Sequence, residues 1–107
     1  MAQKNVPKEI IKLVSRYKKL IKKNNIPITR AVLFGSYANN LFRPSSDIDV
    51  CLVSKKCDDE FGMQVKLSKL ALDLDIRIEP HPVSLADYIG NVNPFISEIR
   101  RTGIEIK

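Results

Sequence analysis

The stretch Leu33–Val53, LFGSYANNLFRPSSDIDVCLV, decides how the chain is read. An apolar run, ITRAVLF (28–34), halts at Gly35-Ser36, and a second apolar run opens with two aspartates, Asp47 and Asp49, one residue apart. Carboxylates at i and i+2 of a strand project to the same side. At ~5 Å and an effective dielectric of about 20 they repel by roughly 3 kcal/mol. A sequence that keeps both calls for a compensating cation, and the composition around this stretch narrows what that cation is.

Outward from this stretch, helical and strand periods alternate. Pro7 suits a first helical turn, and Ile10, Ile11, Val14, Tyr17 and Ile21 recur at helical spacing with lysines opposite, until Asn24, Asn25 and Pro27 end the run. Ser36 is placed to cap a short helix over 37–41, RPSS (43–46) reads as a turn, and DIDVCLVS (47–54) reads as a strand. KKCDDE (55–60) is a polar loop. Residues 61–72 carry a helical pattern with Phe61, Val65, Leu67, Leu70 and Ala71 as apolar positions. LDIRIEPHPV (74–83) alternates strictly, with Leu74, Ile76 and Ile78 on one side and Asp75, Arg77 and Glu79 on the other, and Pro80 and Pro82 are expected to end it. Ser84 is expected to cap a helix over 85–90, Asn93-Pro94 to open one reaching Arg101, and Gly103 to stop it before a short strand at 104–106. This order predicts an α/β (α+β) domain, one small mixed β-sheet flanked by helices, over residues 1–107.

Composition sets the outer limits. Of 107 residues, 44% are hydrophobic, which suits a packed core without Trp. No apolar run approaches the ~20 residues of a membrane span, and the N-terminus lacks a signal-peptide pattern, so a cytoplasmic protein with no membrane partner is expected. Cys51 and Cys57 lack metal-ligand spacing and read as reduced thiols. The net charge is +6, with Lys8, Lys12, Arg16, Lys18, Lys19, Lys22 and Lys23 crowded early. That attracts polyanions, but without interleaved aromatics it reads better as a solvated helix face, so nucleic acid is not the favoured partner.

The acids carry the chemistry. If the strand at 74–83 pairs with that at 47–54, Asp75 converges on Asp47 and Asp49. Three oxygen ligands favour Mg²⁺ or Mn²⁺ over Zn²⁺, and two such ions ~3.5–4 Å apart would stabilise both oxygens of a phosphoryl centre. Gly35 permits a sharp turn and close approach of a ligand, and the amides beginning at Ser36 offer an anion site. Metal on one side and a phosphate cradle on the other describe a triphosphate site. Glu79, two residues beyond Asp75, and Arg77 between them are expected to support the site from behind, although the pattern alone does not choose between Asp75 and Glu79. His81 reads as a strand-end surface residue, and Lys66 and Lys69 as surface lysines that reach phosphate only if their helix flanks the cleft.

Gly35-Ser36, ten residues (37–46), then Asp47-x-Asp49 resembles the signature of the DNA polymerase β-like nucleotidyltransferase superfamily, and the short length resembles its minimal branch. DIRI (75–78) is similar to that superfamily's third-acid strand. Where many relatives carry glycine, this chain has Asn39-Asn40, and Asn also tolerates left-handed backbone. The resemblance implies a palm-like core in which Asp47 and Asp49 bind the metals and the triphosphate, Asp75 binds the second metal and helps deprotonate an acceptor hydroxyl, and Gly35 and Ser36 hold the terminal phosphates. It also implies Mg²⁺-dependent transfer of a nucleoside monophosphate, AMP from ATP, to a helical HEPN-domain partner in a toxin–antitoxin-like pair. At 107 residues the chain is expected to have no room for the acceptor-holding domains of larger relatives, so the acceptor surface is expected from that partner, from a second copy of the chain in a homodimer, or from the acceptor itself. A non-catalytic antitoxin that masks its partner, and nucleotidyl transfer to RNA, are the competing functions.

Overall fold

The computed structural model describes residues 6–55 and 59–107. The expectation for Cys57 and the middle of the polar loop lies outside the described residues. The elements, in order, are α1 (Lys8–Lys23), β1 (Arg30–Phe34), β2 (Ile48–Ser54), α2 (Glu60–Leu72), β3 (Ile78–Ser84), α3 (Leu85–Ile89), α4 (Pro94–Thr102) and β4 (Ile104–Glu105). The four strands form one mixed sheet in the order β3-β2-β1-β4. β1 pairs antiparallel with β2 and β4, while β2 and β3 run parallel, with α2 as the crossover that parallel pairing requires. The sequence-derived α+β architecture is therefore the observed one. No helix among the described residues is long and apolar enough to cross a membrane.

Strand alternation divides the interior into two layers. Ala31, Leu33, Ile48, Val50, Leu52 and Ile78 face Ile10, Val14, Tyr17 and Ile21 of α1 and Leu67 and Ala71 of α2. Val32, Phe34, Cys51, Val53 and Val83 face Tyr88 of α3 and Ile96 and Ile99 of α4. The buried Tyr17 hydroxyl donates to the Leu67 carbonyl at 2.7 Å, joining α1 to α2. Burial pushes the Tyr17 phenol well above its ordinary range and the Cys51 thiol up to about 12. The α1 cations Lys8, Lys12, Arg16, Lys19, Lys22 and Lys23 are exposed, on the helix layer of the first of these two cores.

Three local expectations change. Residues 35–40 form consecutive turns rather than a helix over 37–41, with the amides of Ala38 and Asn39 both directed to the Gly35 carbonyl at 3.1 Å. Asn40 is left-handed, with φ 59°, as its Asn chemistry allows. On α2, Leu67 and Ala71 are buried and Met63 and Leu70 pack against them, whereas Phe61 is 79% exposed and is not core. The third change concerns β3. It starts at Ile78, not at residue 74, and runs through Pro80 and Pro82 instead of ending there. β3 is an edge strand, and prolines two apart both turn their N-less side away from β2. On that outer side the Gln64 Nε2 donates to the Pro80 carbonyl at 2.8 Å.

At the other end of the chain the predicted caps are present. Asp87 N–H donates to Ser84 Oγ and Phe95 N–H to Asn93 Oδ1, starting α3 and α4. Gly103 closes α4, and β4 then extends the sheet beside β1.

Candidate active site

Register places the functional side chains. In the layer lined by α3 and α4, Phe34 of β1 lies opposite Asp49 of β2, and Asp49 lies opposite Glu79 of β3. His81 follows Glu79 by two residues, so it occupies the same face, opposite Cys51. The result is a cluster at one edge region of the sheet: one atom each of Asp49, Glu79 and His81 lie within 4.8 Å of one another. His81 Nε2 is 3.4 Å from Asp49 Oδ1 and 3.9 Å from Glu79 Oε1. Asp49 and His81 are half-buried and Glu79 is more open, with 53% of its side chain exposed. Among the described residues neither carboxylate forms an ion pair with Lys or Arg.

Gly35 supports this cluster from below. Its φ is +75°, and a Cβ built there would sit 2.5 Å from Asp49 Oδ2. Only glycine combines that backbone with that approach. The turn is locked by Asn39, whose Nδ2 donates to the Gly35 carbonyl at 2.9 Å. Ser36 follows in the same turn, half-buried.

Asp47 and Asp75 take other positions. Asp47 is exposed, immediately before β2, and is not part of the three-donor cluster. Asp75 precedes β3 in a turn, where Arg77 holds it with Nε on Oδ1 at 3.0 Å, Nη2 on Oδ2 at 2.8 Å and its own backbone N–H on Oδ1 at 2.9 Å. The Arg77 guanidinium keeps the Asp75 carboxyl below the usual carboxylate range, with burial opposing it and the backbone N–H adding to it. The structure thus does not bring Asp75 to Asp49; it brings Glu79. The strict alternation over 74–79 comes from an aspartate that closes a turn with the residue two places on, followed by a strand that begins three residues later. Ile76, expected to share a strand face with Leu74 and Ile78, is 84% exposed for the same reason.

Arg77 is also not a counter-ion of the cluster. Its Nη1 donates to the Pro44 carbonyl at 3.1 Å and approaches the Tyr37 hydroxyl at 3.4 Å. Tyr37 in turn stacks on Phe42 with ring centroids 4.7 Å apart. Arg77 therefore bolts the Asp75 turn to the ten-residue spacer between Gly35-Ser36 and Asp47.

A cleft of ≈ 390 Å³ opens over Gly35, Asn39, Asp49, His81 and Phe95. A neighbouring hollow of ≈ 540 Å³ shares His81 and Phe95 and extends past Gln64 and Phe61. Both are within the size range of small-molecule sites. Lys66 and Lys69 line a different cleft, beside Asn24–Pro27. The sequence reading missed His81 and Phe95. Glu79-Pro80-His81 repeats on β3 the i, i+2 spacing of Asp47-x-Asp49, and that was the available signal.

A divalent metal fits the residues present. Two carboxylates and an imidazole converge without a Lys or Arg among the described residues to neutralise them, and the missing Gly35 Cβ leaves room for Asp49. Oxygen donors of this kind suit a hard divalent ion.

No curated protein matches the chain significantly in sequence. Among solved structures it is similar to the crystal structure, at 1.40 Å, of "a putative nucleotidyltransferase from Sulfolobus solfataricus", with a TM-score of 0.66 and 16% identity over 91% of this chain and 78% of that one. That likeness is one of fold. Residues 12–105, which include every side chain of the cluster and of the Gly35 turn, match the family described as Nucleotidyltransferase domain. The chain belongs to that nucleotidyltransferase family.

Proposed function

We propose that the chain transfers a nucleoside monophosphate, AMP from ATP, to a hydroxyl on a helical HEPN-domain partner, in a toxin–antitoxin-like pair in the cytoplasm. The observation that carries this reading is the direct opposition of Asp49 and Glu79 across β2 and β3, with Asp49 packed over Gly35 and lining a cleft. Asp49 and Glu79, with the exposed Asp47 two residues before Asp49, would hold Mg²⁺ or Mn²⁺. When bound, such ions supply charge neutralisation for the triphosphate and for the developing pyrophosphate. The Gly35–Ser36 turn binds the terminal phosphates. The acceptor oxygen forms its bond to the α-phosphorus as the bond from that phosphorus to the bridging oxygen breaks, and pyrophosphate leaves with that oxygen. Glu79, the more open carboxylate, takes the acceptor proton. Phosphoryl transfer of this kind depends chiefly on positioning and electrostatics.

Phe61 and Phe95, 79% and 53% exposed at the hollow beside the cluster, favour a second reading in which the chain masks its partner without chemistry. Transfer to RNA has less support, because the α1 cations belong to the helix layer across the sheet from Asp49 and Glu79. The test is incubation of the chain with Mg²⁺, α-labelled ATP and the product of the neighbouring gene. Label on the partner, absent with Asp49→Asn, supports the transferase. Unlabelled partner that is still neutralised equally by wild type and Asp49→Asn supports masking.

A further inference from the structure

We propose that His81 is a nitrogen ligand of the metal held by Asp49 and Glu79, and that it biases the site toward first-row transition ions, Mn²⁺ among them, over Mg²⁺. This inference rests on the acid pair being a metal site, as argued above, and assigns a residue that the oxygen-only reading of the sequence left out.

His81 Nε2 makes one long hydrogen-bond contact, to Asp49 Oδ1, and the spacings also fit shared coordination of one ion. Nitrogen–oxygen hydrogen bonds run at about 2.7–3.2 Å, and His81 Nε2 lies beyond that range from both carboxylates, 3.4 Å from Asp49 and 3.9 Å from Glu79. Two donors each ~2.1 Å from one ion stand between about 3 and 4.2 Å apart. The imidazole is also held in place. Its ring meets the Phe34 ring edge-on with centroids 5.0 Å apart, and Phe95 flanks it at 6.4 Å. Phe34 is buried, so the contact is part of the core and not a surface accident. His81 and Glu79 come from the same face of one strand, and Asp49 from the strand hydrogen-bonded to it, so backbone pairing fixes all three.

The consequence is chemical. Mg²⁺ takes oxygen donors and keeps its waters, whereas first-row transition ions accept imidazole, Mn²⁺ less avidly than the later members of the row. One nitrogen in an otherwise carboxylate site therefore raises affinity for Mn²⁺ without a matching gain for Mg²⁺.

The experiment uses the full chain with Mn²⁺ alone and Mg²⁺ alone. Pulsed EPR of the Mn²⁺-loaded wild type is expected to show ¹⁴N modulation from a coordinated imidazole, and calorimetry is expected to show that His81→Ala weakens Mn²⁺ about tenfold or more while changing Mg²⁺ less than about threefold. Mn²⁺ bound in an Asp49-dependent manner but without ¹⁴N modulation would overturn the role of His81 while leaving the acid pair as a metal site. Equal losses of Mn²⁺ and Mg²⁺ in His81→Ala would overturn it too, as a merely structural effect. Absence of either ion from the wild type, or binding indifferent to Asp49→Asn, would overturn the metal site itself. The EPR measurement needs no variant, so a His81→Ala protein that fails to fold does not remove the test.

Discussion

Gly35 leaves open the space that Asp49 fills: a Cβ at residue 35 would stand 2.5 Å from the Asp49 carboxylate oxygen, on a backbone already at φ +75°. Gly35→Ala must therefore strain the turn, displace Asp49, or both. The expected outcome is a stability loss of about 1–3 kcal/mol together with a 10–100-fold loss of Mn²⁺ affinity. Thermal denaturation and metal calorimetry measure the two separately. A variant with wild-type affinity would show that the close approach is not needed to aim Asp49.

Glu79 and Asp75 should separate cleanly. Glu79→Gln removes a carboxylate from the cluster and is expected to lower nucleotidyl transfer at least 100-fold while leaving the melting temperature nearly unchanged. Asp75→Asn breaks the Arg77 pair and is expected to keep transfer within a few-fold but to destabilise by about 1 kcal/mol, a Tm drop of roughly 4–8 °C. The reverse pattern in a steady-state assay and a melt would favour Asp75 over Glu79 as the third acid.

The same aspartate predicts a pH dependence. Arg77 lowers the Asp75 pKa in the folded chain, so the unfolded chain takes up the proton first as pH falls. The stabilisation is fully present above the ordinary Asp range, about pH 4, and is lost as pH falls through the lower folded value. The stability gap between wild type and Asp75→Asn should hold from pH 7 to about 5 and shrink below 4. Urea titrations at each pH give the gap directly, and one that widened in acid would contradict the pair.

Charge on α1 should matter little to the chemistry. Its cations belong to the α1–α2 layer, across the sheet from Asp49, Glu79 and His81, and at physiological salt exposed charges beyond ~8 Å are largely screened. Lys12→Glu with Lys19→Glu is expected to leave metal affinity within about twofold. A larger change in calorimetry would tie the basic helix to the site.

Cys51 should be inert in the native chain. It is fully buried, with its thiol pushed up to about 12, so almost no thiolate exists at neutral pH. In a Cys57→Ser background, a thiol reagent at pH 7 is expected to react only as the chain unfolds. Rapid reaction without denaturant would show that the layer between the sheet and α3–α4 opens readily.

By itself the sequence determined what local chemistry controls. Helical spacing named Ile10, Ile11, Val14, Tyr17 and Ile21 as the apolar stripe of α1, all buried but the half-buried Ile11, and Asn93-Pro94 named the start of α4. Gly35-Ser36 and Asp49 declared themselves by type and spacing, and Asn40 by its tolerance of left-handed backbone. The tertiary structure alone decided which acid stands beside Asp49. Asp75 and Glu79 have the same parity, and a turn closed by an Asp side chain alternates like a strand, so only the β2–β3 register shows that Glu79 and not Asp75 stands opposite Asp49. It also decided that prolines could remain inside β3, because their tolerance depends on which edge of the sheet is unpaired. His81 joined the cluster for the same reason: its i, i+2 spacing from Glu79 is local, but the strand that brings Asp49 beside them is a long-range fact.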